Sequence, residues 1–211
     1  FLGMVAHLGK FSKEISEMAR PLRDVNKEKS AFVWTLAHDQ AFEKTKKALV
    51  EPPILAHFDP TKPTRLETDA SKLKGLGFVL LQDHGIDEWK LVICGSRFLT
   101  DCETRYSMVE MEALAIVWAM KKCRIYLAGI PTFEVITDHR PLIQIFNHQS
   151  LDAIENAKIA RYRASLHEYQ YVLKWRKGKE HCIADALSRA PVEDPTQEDI
   201  RMMEDDQRIM I

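Results

Sequence analysis

The stretch that decides the fold is Leu66-Glu67-Thr68-Asp69-Ala70-Ser71, which leads into the apolar run Gly75-Leu76-Gly77-Phe78-Val79-Leu80-Leu81. Residues 65–69 alternate in character, which predicts a β-strand, and the apolar run predicts its hairpin partner. Asp69 then lies at the end of a strand, where a rigid frame can present an oxygen to a metal ion. On this stretch alone, Asp69 is better explained as a turn residue, since Asp often begins turns.

The patterns on either side of this hairpin predict one α/β unit. Strands are predicted at 65–69, 75–82, 89–99, 132–138 and 169–175, and helices at about 107–127, 140–147, 151–168 and 183–189. Residues 1–51 are predicted to be mostly helical, and Pro52-Pro53 ends the last of these helices. The predicted division is therefore a helical segment with its linker at 1–63, an α/β domain at 64–190, and an acidic tail at 191–211. We expect the tail to be loosely ordered or a linker.

Composition indicates an intracellular globular protein. The chain has 211 residues, of which 45% are hydrophobic, a share typical of a soluble domain with a substantial core. No apolar run approaches the roughly 18 to 20 residues that span a bilayer, so no membrane partner is expected. The four cysteines lack metal-site spacing, which favours free thiols in a reducing compartment. Without a signal peptide or an initiator Met, the chain is expected to be a fragment of a longer, non-secreted polypeptide.

The charge is spread unevenly along the chain. The net charge is −1, but residues 191–211 hold seven acids against two basic residues, which leaves 28 Lys+Arg against 24 Asp+Glu in the body. A mildly basic body permits phosphate contacts without requiring them. Basic residues cluster at 121–124 and 174–179. A solvated charged face is the ordinary explanation for such runs; the second run also contains Trp175, and phosphate contact there is an equal alternative.

Four carboxylates are candidates for one site. On the predicted helix at 107–127, steps of about 100° per residue place Glu112 on the apolar side and Glu110 on the charged side. An unpaired carboxylate on an apolar face is costly, so Glu112 needs a salt bridge or a cation. Asp69 and Asp138 end strands, and Asp185 opens the last helix, where the helix dipole alone could explain it. Together the four acids suggest an oxygen-lined site for a hard divalent cation such as Mg²⁺.

Several stretches, taken together, carry a resemblance to a known family. They are Thr68-Asp69-Ala70-Ser71 with Gly75-Leu76-Gly77, Arg105-Tyr106-Ser107 with Glu110 and Glu112-Ala113-Leu114-Ala115, Thr137-Asp138-His139 with Pro141-Leu142, and Ala184-Asp185-Ala186-Leu187-Ser188-Arg189. They resemble the RNase H domain of gypsy-type LTR retrotransposon Pol polyproteins. Upstream, Phe1-Leu2-Gly3, Ala19-Arg20-Pro21-Leu22 and Phe32-Val33-Trp34 are similar to the thumb and connection of the reverse transcriptase in the same polyproteins. The resemblance covers residues 1 to about 190.

The resemblance implies an RNase H-like α/β fold, in which a five-stranded mixed sheet is flanked by helices and follows a small helical thumb/connection segment. It implies endonucleolytic hydrolysis of the RNA strand of an RNA·DNA hybrid. Asp69, Glu112, Asp138 and Asp185 match the family's catalytic carboxylates. They would hold two Mg²⁺ ions, or Mn²⁺ in their place, with Asp69 bridging, Glu112 and Asp138 on one ion and Asp185 on the other. The implied partners are the hybrid and the rest of the Pol polyprotein, in a cytoplasmic particle.

Contacts to the hybrid are expected at two places. Arg105 and Tyr106 precede the helix of Glu112, although Tyr106 could instead pack into the core. The second place is the basic run, and its expected contact residues are Lys174, Arg176, Lys177 and Lys179. His181 stands where the family usually has Asn. A role in proton transfer or product release is one hypothesis for it, and a surface or capping histidine is the favoured one.

Two other functions compete with an active ribonuclease H. A catalytically inactive nucleic-acid-binding or scaffold module is suggested by the truncated start and by the lack of a Tyr-x-Asp-Asp polymerase motif. A different nuclease or transposase of the same fold is the third hypothesis, and the thumb-like segment argues against it.

Overall fold

A computed structural model describes residues 1–3, 5, 17–25, 33–50, 56–85 and 88–201. The predictions for 6–16, for Pro52-Pro53 and for the tail beyond Arg201 lie outside these residues. In the helical segment, α1 runs over Arg20–Val25 and α2 over Leu36–Val50, and α2 ends before Pro52-Pro53, as predicted for the last of these helices. No helix in the described part of the chain is long and apolar enough to cross a bilayer.

The sheet has the predicted five strands. They are β1 Thr64–Ser71, β2 Gly75–Asp83, β3 Trp89–Phe98, β4 Phe133–Thr137 and β5 Tyr171–Trp175. Their order in the sheet is β3-β2-β1-β4-β5. The pairs β1/β2 and β2/β3 are antiparallel, and the pairs β1/β4 and β4/β5 are parallel. The predicted five-stranded mixed sheet is confirmed. Its centre is β1, the strand that carries Asp69.

The flanking helices differ from the prediction in two places. They are α3 Met108–Lys122, α4 Arg124–Leu127, α5 Pro141–Asn147, α6 Ala157–Ala164 and α7 Cys182–Arg189. The predicted helix at 107–127 is broken at Cys123, whose ψ of 9° departs from the helical value. The predicted helix at 151–168 is shorter because the Asn156 side chain caps its start, accepting the backbone N–H groups of Lys158 and Ile159 at 3.0 and 3.1 Å.

The main core lies between α3 and one face of the sheet. Ten successive residues of α3, 111–120, are buried, which makes it the central helix of the domain. Phe78 of β2 meets Trp118 of α3 edge-on, with ring centroids 5.2 Å apart. Both Phe78 and Met111 are buried in this cluster.

The opposite face of the sheet is covered by α7 and the helical segment. Val79 and Leu81 of β2 pack in a second cluster with Val5, Ala19 and the partly buried Ile183 of α7. At Gly77 of β2, an added Cβ would come within 2.5 Å of the Ser188 backbone nitrogen and 2.7 Å of the Ala184 carbonyl oxygen. Glycine therefore allows α7 to lie directly on β2. The boundary at 63/64 stays a prediction.

The expectation of a loosely ordered tail is wrong for residues 191–201, which we call the C-terminal strap. The Phe98 N–H donates to the Glu193 carbonyl at 2.9 Å, so the strap lies along β3 at the edge of the sheet. Asp199 is 5% exposed and lies 3.8 Å from the Arg97 Nε atom. The acidic composition of the strap predicted solvation, whereas the buried Arg97 and the edge of β3 provide the strap with partners.

Candidate metal centre

Three of the four predicted acids meet at one edge of the sheet. Asp69 belongs to β1, Asp138 follows β4 directly, and Glu112 comes from α3. One ligand oxygen from each lies within 4.8 Å of the others. Because β1 and β4 are parallel neighbours, their carboxyl ends meet at the same edge, and α3 brings Glu112 to that edge across the core face. The arrangement brings together three carboxylate oxygens, the type of ligand that hard divalent cations prefer.

Among the residues that the structure describes, Asp185 lies beside this group of three acids and does not belong to it. It lines the same cavity of about 250 Å³. The remaining lining residues are Asp69, Ala70, Ser71, Met108, Glu112, Asp138, His139 and Arg189. The Asp185 carboxylate accepts a hydrogen bond at 2.6 Å from the Nε–H of Arg189, which lies one helical turn after Asp185 in α7. The Asp185 side chain is 35% exposed, so it lies at the rim of the cavity.

Burial and neighbouring carboxylates raise the pKa of Glu112 and of Asp69. Glu112 is 1% exposed, and burial holds its pKa well above the ordinary value, with repulsion from Asp69 and Asp138 adding to the effect. Thr137 opposes this weakly, donating its hydroxyl to Glu112 at 3.4 Å. Burial also raises the pKa of Asp69, with the charges of Asp138 and Asp185 as smaller contributions. A bound cation would remove this repulsion, which is why such a cluster suits metal binding.

Two hydroxyl side chains that the sequence analysis had not singled out support these acids. Ser188 of α7 donates its hydroxyl to the Asp69 carboxylate at 2.5 Å. Thr137 contacts Glu112 and also accepts the backbone N–H of His139 at 3.1 Å. The signal that could have identified Ser188 is its spacing: it follows Ala184 by four residues, so the two share one face of α7, and both are fully buried.

His181 is neither a surface nor a capping histidine, and that interpretation is wrong. Its side chain is fully buried, and it makes no capping hydrogen bond at the start of α7. Instead Nε2–H donates to the Thr68 carbonyl at 2.6 Å, and Nδ1 lies 3.9 Å from the Glu67 carboxylate. His181 therefore ties the start of α7 to β1 at the residue before Asp69. Its predicted role in proton transfer stays a prediction.

The predicted nucleic-acid contact residues fall into different settings. Arg105 is exposed. Tyr106 is 8% exposed and has the Lys158 ammonium 3.3 Å from its ring centroid, so it packs into the core, the alternative that the sequence left open. A side chain in that setting is a poor candidate for contact with a hybrid.

In the basic run, two side chains already have acidic partners. Lys174 pairs with Glu134, and Arg176 pairs with the buried Glu67 at 2.5 Å. Lys177 is exposed. The side chain of Lys179 lies outside the described part of the structure. Part of the positive charge of the basic run is therefore neutralised by acidic side chains of the sheet.

Two further residues, Trp175 and Arg140, lie beside Asp138 and near the basic run. Trp175 is 42% exposed, and its indole N–H donates to the Asp138 carbonyl at 2.9 Å. The Arg140 guanidinium lies 5.8 Å from the centre of the Trp175 ring. At Gly178, an added Cβ would lie 3.0 Å from an Asp138 carboxylate oxygen, so the chain after β5 runs close to the acids. The sequence already indicated Trp175 as the aromatic within a basic run, whereas Arg140 had no such signal.

Comparison with known proteins agrees with this fold. The family described as the RNase H-like domain found in reverse transcriptase matches residues 59–169. The Tf2-3 and Tf2-4 transposon polyproteins of Schizosaccharomyces pombe are each 38% identical to the chain over 190 residues. The match includes 90% of this chain and 14% of either polyprotein, so the chain spans about one seventh of those relatives.

Solved structures of low sequence identity share the fold. A foamy viral protease-reverse transcriptase in complex with double-stranded DNA gives a TM-score of 0.59 at 17% identity, covering 82% of this chain and 33% of that one. The native prototype foamy virus protease-reverse transcriptase gives 0.58 at 14% identity, covering 83% and 24%. The chain belongs to the family of RNase H-like domains found in reverse transcriptases, and within it to the Pol polyproteins of gypsy-type retrotransposons.

Proposed function

We propose that the chain is a ribonuclease H that hydrolyses the RNA strand of RNA·DNA hybrids with two bound Mg²⁺ ions, as part of a retrotransposon reverse transcriptase. The observation that carries the proposal is the convergence of Asp69, Glu112 and Asp138, whose ligand oxygens lie within 4.8 Å of one another at one sheet edge. Burying such a cluster without a cation is costly, and folding alone gives no reason to keep it.

The donor set fits the proposed metal. Carboxylate oxygens are the ligands that Mg²⁺ prefers, and Mn²⁺ accepts them too. Asp69 would bridge the two ions, with Glu112 and Asp138 on one of them and Asp185 on the other. When bound, a pair of such ions supplies an activated water and stabilises the leaving oxygen of the cleaved phosphodiester.

Asp185 can join the site at little cost. Its partner Arg189 is 64% exposed, and the two form an i,i+4 pair on the surface of α7. Exposed pairs of this kind contribute only about 0.2–1 kcal/mol. A cation in the cavity therefore competes well for the Asp185 carboxylate. The other three acids are already in place before Asp185 turns inward.

The hybrid would be held beside Asp138. Arg140, Trp175 and Lys177 are all exposed there, and the described residues include no carboxylate paired with Arg140. A guanidinium near an indole ring can contact phosphate while the ring packs against a sugar. Arg105, on the α3 side, would extend the surface. Lys174 and Arg176 would contribute less because Glu134 and Glu67 already pair with them. The remainder of the Pol polyprotein would complete the enzyme in a cytoplasmic particle.

The proposal is tested by incubating the chain with a hybrid that carries a labelled RNA strand at millimolar Mg²⁺. Asp69→Asn and EDTA should each abolish cleavage. Asp152→Asn, which changes an exposed acid outside the cavity, should leave it unchanged. If the chain binds the hybrid tightly without turnover, and the double variant Asp69→Asn/Asp138→Asn binds equally well, the chain is a catalytically inactive nucleic-acid-binding or scaffold module instead.

A further inference from the structure

Ser188 contacts the acid at the centre of the site from the side of α7. Its side chain is fully buried, and its oxygen lies 2.5 Å from an Asp69 carboxylate oxygen and 3.0 Å from the Asp185 carbonyl. A hydroxyl has one proton to donate. The shorter contact and the charge of the acceptor assign that proton to Asp69, because hydrogen bonds to ionised groups are the stronger ones.

The position of Ser188 is fixed by packing. Its backbone nitrogen would lie 2.5 Å from a Cβ at Gly77, so α7 sits against the backbone of β2 at this point. At its start, α7 is tied to β1 by the hydrogen bond from His181 to the Thr68 carbonyl. With α7 packed on β2 and tied to β1, the hydroxyl reaches Asp69 from a rigid frame.

We propose that Ser188 is a positioning residue that fixes the Asp69 carboxylate for metal binding. By donating to one carboxylate oxygen, it holds the side-chain rotamer and leaves the other oxygen for the cation shared with Glu112 and Asp138. Ser188 itself does not touch metal or hybrid. This inference rests on the proposed function, since it concerns how the same acids are oriented.

The test compares Ser188→Ala with Ser96→Ala and Ser188→Thr. Ser96 is 1% exposed, and its hydroxyl contacts the strap rather than the acids, so Ser96→Ala is a matched loss of a buried hydroxyl. Mg²⁺ binding is measured by calorimetry, the Mg²⁺-induced shift in Tm by thermal melts, and cleavage by kcat and KM for the hybrid. For Ser188→Ala we expect a Kd for Mg²⁺ about tenfold higher, a smaller Tm shift, a lower kcat at limiting Mg²⁺ and an unchanged KM.

Ser96→Ala should lower Tm without changing the Kd for Mg²⁺, and Ser188→Thr should restore most of the affinity by restoring the hydroxyl. If Ser188→Ala and Ser96→Ala bind Mg²⁺ with the same affinity as the wild type, the positioning role is refuted while the proposed function stands. If the wild-type chain itself binds no Mg²⁺, both proposals fail together. The wild-type measurement thus separates the two failures.

Discussion

Arg189 donates its Nε–H to the Asp185 carboxylate at 2.6 Å, and this pair occupies the rim of the cavity that holds Asp69, Glu112 and Asp138. The guanidinium therefore takes the place that a second cation would take at Asp185. Under the proposed function, Arg189 would compete with metal for Asp185, the predicted acid that lies outside the group of three.

Replacing Arg189 should strengthen metal binding. Arg189→Ala frees Asp185 and should lower the Kd for Mg²⁺ about threefold, in line with the small contribution of exposed pairs. Isothermal titration calorimetry measures the change. Arg189→Lys keeps the charge and should give a smaller gain, and adding Asp185→Asn should remove the gain of Arg189→Ala. An Arg189→Ala chain with wild-type affinity would show that the pair does not compete with metal.

The raised pKa of Glu112 predicts a stability that falls as pH rises in the absence of metal. The unfolded carboxyl ionises near 4.5, whereas the folded one keeps its proton to higher pH. The stabilising contribution is therefore fully present below 4.5 and is lost as pH rises through the folded pKa. In EDTA, Glu112→Gln should be more stable than the wild type at pH 7, by about 1.4 kcal/mol for each unit of raised pKa.

Thermal melts of both chains in EDTA from pH 4 to pH 8 measure this difference. The two curves should converge at the acid end, and Mg²⁺ should raise the wild-type Tm at pH 7 far more than that of Glu112→Gln. Curves that stay parallel across the range would mean that Glu112 keeps its ordinary pKa.

The C-terminal strap should contribute to folding stability through Asp199. Arg97 is 1% exposed and is paired with Glu103 by two hydrogen bonds of 2.8 and 2.7 Å, and Asp199 lies on its other side. Asp199→Ala removes one acid from this buried cluster and should cost about 2 kcal/mol, measured by urea unfolding. Glu198→Ala, an exposed neighbour, is the control and should change stability by less than about 0.5 kcal/mol.

Ending the chain at Ala190 should have a larger effect. It removes the strap from β3 and leaves an open strand edge, which favours association between chains. Light scattering should show concentration-dependent association in the shortened chain alone. If the shortened chain stays monomeric and melts at the wild-type Tm, the strap is dispensable for the fold.

His181 should be important for stability as well. His181→Ala removes a donor to the Thr68 carbonyl and leaves a cavity beneath β1, so we expect a loss of about 2 to 3 kcal/mol in urea unfolding. His148→Ala, at an exposed histidine, should cost almost nothing. His181→Gln keeps a donor at similar reach and should recover part of the loss. Equal stability of the alanine variants at 181 and 148 would contradict the bridge to β1.

The sequence predicted the parts of the fold that depend on local pattern. Alternation at 65–69 and the apolar run after Gly75 predicted β1 and β2, and helical stepping separated Glu112 from Glu110. Glu110 indeed lies at the start of α3, where its carboxylate accepts from the Ser107 backbone at 2.8 Å. These features follow from neighbours within about one helical turn or one strand, which a sequence displays directly.

The parts that could not be predicted depend on contacts between distant residues. Ser188 meets Asp69 across 119 residues of sequence, and His181 meets Thr68 across 113. The strap was expected to be loosely ordered because an acidic composition is typical of solvated segments. The sequence does not show that Arg97 is buried where Asp199 of the strap can pair with it. Strand and helix patterns place a residue on a face, but they do not say which side chain of another element it meets.

The most direct measurement is cleavage of an RNA·DNA hybrid by the wild-type chain, with each strand labelled in a separate reaction at millimolar Mg²⁺. We expect internal cuts in the RNA strand that leave 3′-hydroxyl ends, an intact DNA strand, and loss of all cuts in Glu112→Gln. An uncut RNA strand, or cuts that persist in Glu112→Gln or in EDTA, would contradict it.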